Sequence, residues 1–459
     1  MSFDPILAAI RFGTGLSPVI LPPASVDEML DWLAGPDEAA QRFPIPTYAD
    51  VYPSPRDFRA ATLAINSAPD DAAEAAARVL RDDLRAAGRE AVIAFIKAEM
   101  ARAAHGRDGF RERLTRFWAD HFTVRPVNGG ARHLVSPYIE EAIRPNVTGR
   151  FYDMLIAAVE SPMLILYFNQ HQSMGPNSKA AEHNDRGLNE NLAREVLELH
   201  TLGVGGRYDQ TDVREFAELL TGVTANARSG AYFRAQQAEP GAETVLGRTY
   251  GGAEESIEHV RHALRDLARH PDTARHLAHK LAVHFLSARP EADLIDAMAR
   301  AYLDGDTHLP AMYEVMLRHA SAWQPQLEKV KQPVDFVASA LRALAVPEGV
   351  IRDASMQRVR QLIQRPLSVM GQTWQAPVGP DGWPEADEAW VTPQGMAGRI
   401  TWAMRVPERL LESLPDPREF VFHALGPNPP EAVVFAAGAA ETVSDGIGLV
   451  LASAAFQRR

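Results

Sequence analysis

The sequence predicts a mostly α-helical protein, a multi-helix globular bundle with room for one small β-hairpin. Three observations predict it. Ala, Leu, Arg and Glu crowd residues 70–104, where Ala76, Leu80, Leu84 and Ala87 recur at helical spacing. Helix boundaries carry their own chemistry: Asp212 with Glu215 three residues on fits a capping box, and Gly222 follows as a C-terminal stop. Strand signal is scarce, the best pair being 231–234 and 244–246 around a turn at Pro240-Gly241.

In chain order, 70–104 is followed by helices over 154–168, 188–202 and 212–220. Next come 256–268, 271–286, 291–303, 333–344, 356–370 and 395–404. A last helical stretch covers 431–456, with Gly438 and Gly446–Gly448 as candidate breaks. Pro and Gly mark loops at 18–24, 175–178, 378–384 and 427–430. The whole chain, 1–459, is expected to form a single helical domain. If it has two lobes, the boundary falls near 228–252.

Bulk properties exclude several classes of function. A net charge of −12 over 459 residues argues against a nucleic-acid partner, which normally requires a basic patch. The absence of cysteine removes disulfides, thiolate nucleophiles and cysteine-based zinc or iron–sulfur sites. No apolar run approaches the roughly 18 residues needed to span a bilayer, so no membrane insertion is expected. The opening segment MSFDPILAAIRFGTG lacks a basic n-region and does not read as a signal peptide, which leads to a cytoplasmic expectation. No P-loop, G-x-S-x-G elbow or H-E-x-x-H pair is present.

The richest segment is 189–206, NENLAREVLELHTLGVGG. Wound as an α-helix it puts Asn191, Arg194, Glu195, Glu198 and Thr201 on one polar arc, with Glu190 at the edge and Leu192, Val196 and Leu199 opposite. Two readings stay open here. Glu195 and Glu198, at i and i+3, can hold a divalent cation or share a proton, with Asn189 and Asn191 lining the pocket. Alternatively Arg194 bridges Glu190 and Glu198 at i±4 in a structural network. His200 lies about 200° round the helix from Glu198 and points to the apolar side.

Further candidates lie elsewhere. His121 shares a stripe with Leu114, Phe117, Trp118 and Phe122; it is either a hydrogen-bonded core residue or, with Asp120 and the Glu140-Glu141 pair, an acid–base or cation site. His276, Lys280 and His284 recur at i, i+4 and i+8; the interposed lysine argues against metal binding and for a surface or interface stripe. Trp374 and Trp383, in the proline-rich loop 371–384, either bind a sugar or peptide on their flat faces or plug a gap between helices. Asn169 and His171, in NQHQSMGPN, are placed to line a polar pocket.

These segments together carry a resemblance. The 189–206 helix is similar to the signature helix of domain-of-unknown-function family 1800, a bacterial family of helical proteins. FWADHFTV at 117–124, YIEEAIRP at 138–145 and MLILYFNQ at 163–170 resemble the family's earlier elements. YDQTDVREFAELLTGV at 208–223, TVLGRTYGG at 244–252 and HPDTARHLAHKLAVHF at 270–285 resemble its middle ones. KVKQPVDFVASALRAL at 329–344, GQTWQAPVGPDGWP at 371–384 and FQRR at 456–459 resemble the last. The chain departs from the family where many members have a histidine, at Ala238.

The resemblance implies a helical fold and no settled activity. If the protein is an enzyme, carboxylate–histidine hydrolysis or modification of a polymeric or cell-envelope substrate is expected. Glu195, Glu198, His121 and Arg194 would then be the catalytic set, with a divalent metal as candidate cofactor. The alternative is a non-catalytic escort of a sulfatase-like exported protein of domain-of-unknown-function family 1501. In that case the chain would reach the periplasm by co-export.

Overall fold

The computed structural model describes residues 2–126, 129–183 and 187–459. The longer helices run in chain order. Val26–Ala34 (α1) and Pro55–Asn66 (α2) precede the 35-residue helix Asp71–His105 (α3). Asp70 caps α3 by accepting the Ala73 N–H at 2.7 Å, and Gly106 follows its last residue. Then come Gly109–His121 (α4), Phe151–Val159 (α5) and Asn191–Glu195 (α6), the last continued without a break by a π-helical turn over Val196–Thr201.

Gln210–Leu219 (α7) starts one turn before the expected box. Asp209 is the N-cap and Asp212 its reciprocal partner, while Glu215 instead accepts the Thr244 N–H. The expected pairing of 231–234 with 244–246 does not form. Each segment pairs locally: Val223–Asn226 (β1) with Gly230–Phe233 (β2), and Gly241–Val245 (β3) with Arg248–Gly252 (β4), both antiparallel. The Asn226 carboxamide accepts from Arg228 and Ser229 to close the first turn; Leu246 and Gly247, at φ of 50° and 73°, close the second.

The remaining longer helices are Ile257–Ala268 (α8), Pro271–Phe285 (α9), Ala292–Asp304 (α10), Leu309–Arg318 (α11) and Pro333–Ala343 (α12). Pro393–Arg405 (α13), Pro417–Leu425 (α14), Glu431–Ala439 (α15) and Val443–Ala452 (α16) end the set. The protein is thus mostly helical with two small hairpins. The last stretch breaks at 440–442, where Thr442 caps α16, rather than at its glycines. Gly446 serves packing instead: a Cβ there would lie 2.6 Å from the Pro417 side chain.

Two apolar clusters lie side by side. One gathers residues from Leu7 to Trp323, including α4, α5 and α8–α11. The other gathers the far end of α3 with α12, α13, α14 and α16. α3 belongs to both, giving Phe95 to the first and Ile93, Ile96 and Met100 to the second. Among the described residues, no helix is long and apolar enough to cross a membrane.

Candidate functional site

Where the two clusters meet, α3, α4, the start of α12 and the 371–384 loop enclose a cavity of about 110 Å³. Glu99 comes from α3, Arg116 and Asp120 from α4, and Trp374, Gln375 and Trp383 from the loop. α4 is held in place by the Trp118 indole, which donates to the Tyr313 hydroxyl of α11 at 2.7 Å. One helix face then carries Arg113, Arg116 and Asp120 inward.

The two carboxyl groups are the unusual members. Glu99 accepts from the Ser136 hydroxyl at 2.9 Å and from the Gln375 amide at 3.1 Å. Burial pushes its pKa up to about 7, and the Ser136 hydrogen bond and the Arg102 charge only partly oppose that. Asp120 accepts the Trp383 backbone N–H at 2.9 and 3.0 Å. Its pKa is also raised to about 7, first by burial and then by Glu385, against the Trp383 bond and the Lys280 charge. The approach is close enough to require Gly382 at φ +81°, since a Cβ there would sit 2.6 Å from Asp120 Oδ2.

Beneath the cavity lies a buried ionic seam. Asp335, at the start of α12, is met by Arg116 at 3.0 Å, by Arg113 at 3.7 Å and by Arg459. Burial alone would raise the Asp335 pKa, but the three guanidiniums hold it far below the usual carboxylate range. Lys331 is pushed down to about 7 by burial and by Arg459, Arg113 and Arg399, with Asp335 opposing. His284 donates from Nδ1 to Glu385 at 2.6 Å, and its Nε2 accepts from Arg113 at 3.1 Å. Burial and the neighbouring arginines bring His284 down to about 4 despite Glu385, so it is neutral at physiological pH.

The α9 stripe therefore faces inward, correcting the surface reading. Lys280 lies 3.0 Å from His121 Nδ1, and His276 meets the Leu199 carbonyl at 3.2 Å. α9 packs its lysine under Asp120 and Glu385, whose charges offset the cost of burying an ammonium.

The structure places the sequence-selected residues as follows. Arg194 bridges Glu190 at 3.2 Å and Glu198 at 3.4 Å, the structural alternative, and its side chain keeps 38% exposure. Glu195 is half-buried, its pKa raised by burial and by Glu198 and Asp381. Thr201 leaves the expected arc: the wider π turn rotates it inside, where its hydroxyl donates to the Val196 carbonyl at 2.7 Å. His200 is fully buried, and neither ring nitrogen has a hydrogen-bond partner among the described residues. His121 is buried among Phe117, Trp118, Phe122 and Phe151 and donates from Nε2 to the His200 carbonyl at 3.1 Å.

Asn189 ties the entrance of α6 to the Phe168 carbonyl and accepts from the Asn191 N–H, while Asn191 is exposed. Asn169 is exposed at φ 56°, turning the chain after a short helix. Glu140 forms a two-pronged pair with Arg102 at 2.6 and 3.0 Å and lies close enough to raise the Glu99 pKa. Glu141 is exposed and accepts the Ala49 N–H. Neither acid pairs with Arg194. Trp374 and Trp383 both line the cavity.

Glu99, Arg116, Asp335 and Glu385 escaped sequence reasoning. The sequence signal for Glu99 was weak, since Lys97 and Arg102 flank it on a stretch that also carries Ile93, Ile96 and Met100. Among the described residues, the three-ligand group compact enough for a metal ion is Glu291, Asp293 and His319, whose ligating atoms lie within 4.8 Å of one another. Glu195 and Glu198 are not part of it.

Residues 11–458 match the model of a family described as a protein of unknown function, DUF1800. No curated protein and no solved structure matches the chain.

Proposed function

This chain belongs to the DUF1800 family, and from that premise we propose that it hydrolyses or modifies a polar polymer by acid–base chemistry in the α3–α4 cavity. The observation that carries the reading is two enclosed carboxyl groups, Glu99 and Asp120, on one cavity walled by Trp374 and Trp383. A carboxyl with a pKa near 7 exists in both forms at neutral pH, so it can give or take a proton as the reaction requires. In hydrolysis, one carboxyl protonates the leaving oxygen while the other, ionised, takes a proton from the attacking water. The tryptophans offer flat apolar surface to the substrate. The Trp383 backbone N–H positions Asp120, and Gln375 with Ser136 orients Glu99.

The test is product analysis on a panel of envelope polysaccharides and peptidoglycan, with wild type beside Glu99→Gln and Asp120→Asn. Cleavage by the wild type and its loss in both folded variants is expected. Equal cleavage by wild type and variants, or by none of them, overturns the reading.

A second reading is a non-catalytic partner that travels with an exported sulfatase-like protein of family 1501. It draws on Phe422 and Phe435, which stay 44% and 76% exposed on the adjoining helices α14 and α15. Fractionation of cells of the source bacterium tests it. Recovery of the chain from cytoplasm alone, without such a partner, would count against it.

A further inference from the structure

The cavity adjoins a larger cleft of about 470 Å³, and Trp374 and Gln375 belong to the walls of both. The described wall of the cleft carries Arg132 and Arg365, both exposed, and no carboxylate. In a chain of net charge −12, that is a local reversal of sign.

The reversal continues inward. Arg116, on the cavity wall, makes no hydrogen bond among the described residues. Its Nη2 lies 3.0 Å from Asp335 Oδ1, its Nε is enclosed without an acceptor, and its side chain keeps 23% exposure. Its one ion-pair partner, Asp335, is shared with Arg113 and Arg459, and Glu385 is the other carboxylate of the seam. Trp374 Nε1 is likewise enclosed without an acceptor. A guanidinium is rarely left so short of acceptors, because each unmet N–H forfeits hydration. Among anions, a carboxylate forms a charge-assisted hydrogen bond with whatever part of the guanidinium stays open to the cavity. The flat indole face beside it suits a sugar ring.

We propose that the cleft and cavity bind an acidic saccharide chain whose ring carboxylate pairs with Arg116, while Arg132 and Arg365 hold the neighbouring acidic units. This rests on the α3–α4 cavity being the substrate site and gives the polymer its class. Whichever of Glu99 and Asp120 holds its proton then faces the anion as a hydrogen-bond donor.

Titration calorimetry with trigalacturonate, uncharged galactotriose and inorganic phosphate tests it, on wild type, Arg116→Gln and Arg365→Gln. Expected is trigalacturonate binding that weakens at least tenfold in Arg116→Gln and several-fold in the exposed-site variant Arg365→Gln, with little binding of the other two. Failure of trigalacturonate to bind, phosphate bound as tightly, or affinity unchanged in both variants overturns the proposal. If Arg116→Gln fails to fold, Arg365→Gln alone decides. Calorimetry reads binding without turnover. Arginine-dependent binding with no cleavage therefore sinks the acid–base reading alone, and cleavage of neutral polymers without trigalacturonate binding sinks this proposal alone.

Discussion

The face of α6 and the seam under α12 are built from the same residue types, yet they live in different solvents. Arg194 spans Glu190 and Glu198 at 3.2 and 3.4 Å, with all three side chains between 27% and 38% exposed. Arg113, Arg459 and Asp335 meet with 2%, 1% and 8% exposed. Water screens the first set and leaves each ion well hydrated if its partner is removed. The second set has lost its water, so each charge depends on the others. The contrast shows that an arginine–carboxylate constellation acquires energetic weight from what surrounds it.

The largest effect that would break this comparison is at Asp335. Asp335→Ala strands three guanidiniums and should cost about 4 kcal/mol in urea unfolding at pH 7. The folded-state pKa of Asp335 is depressed, so its contribution is present above the ordinary carboxylate value near 4 and fades as pH falls below it. The deficit of the variant should therefore shrink at pH 3. A loss under about 1 kcal/mol at pH 7 would place the seam with surface pairs.

Glu99 runs with the opposite sign. Its folded pKa is raised to about 7, so the native state holds a proton that the unfolded chain releases from about pH 4.5 upward. Wild-type stability should fall between pH 4.5 and 7, and Glu99→Gln should remove the Glu99 share of that slope while leaving the share of Asp120. At pH 8 the variant should be more stable by about 3 kcal/mol, and at pH 4 nearly equal to wild type. Parallel pH profiles of the two melting temperatures check this; identical slopes would mean that the carboxyl is hydrated.

Smaller effects sharpen the contrast. His200→Phe replaces an unpartnered buried imidazole with a ring of similar size, so stability should hold or rise by about 1 kcal/mol. A loss beyond about 2 kcal/mol would point to a hydrogen bond that His200 makes in solution. Arg194→Ala should cost under about 1 kcal/mol, and less still in 0.5 M salt. A loss of several kcal/mol, insensitive to salt, would erase the distinction between the two regions.

The helical fold was legible because caps and apolar spacing are local. Asp70, Pro271 and Pro333 mark their helix starts in the sequence as clearly as in space. The hairpins were legible in kind but not in register, since turn closure by Asn226 and by Leu246-Gly247 outweighed the weaker Pro-Gly signal. In the cavity, Trp374 and Trp383 stood out by residue type. Glu99, Arg116 and Asp335 did not, because a charged residue on a helix is read as solvated unless its burial is known. Lys280 misled for that reason. The π turn after Glu195 defeats a straight helical wheel, and Thr201 shows the resulting slip.

The 35 residues of α3 make a rod about 52 Å long. Its first twenty residues bury little beyond Ala77, Leu84 and Gly88, while Ile96 and Met100–Ala104 are sealed between the two clusters. One helix therefore carries two regimes of amide exchange. Near Asp71 the hydrogens should be lost through local fraying within seconds to minutes, and near Met100 they should wait for the whole molecule to open. Glu99 hangs at the slow end, so the carboxyl facing the cavity is mounted on some of the least mobile backbone in the protein.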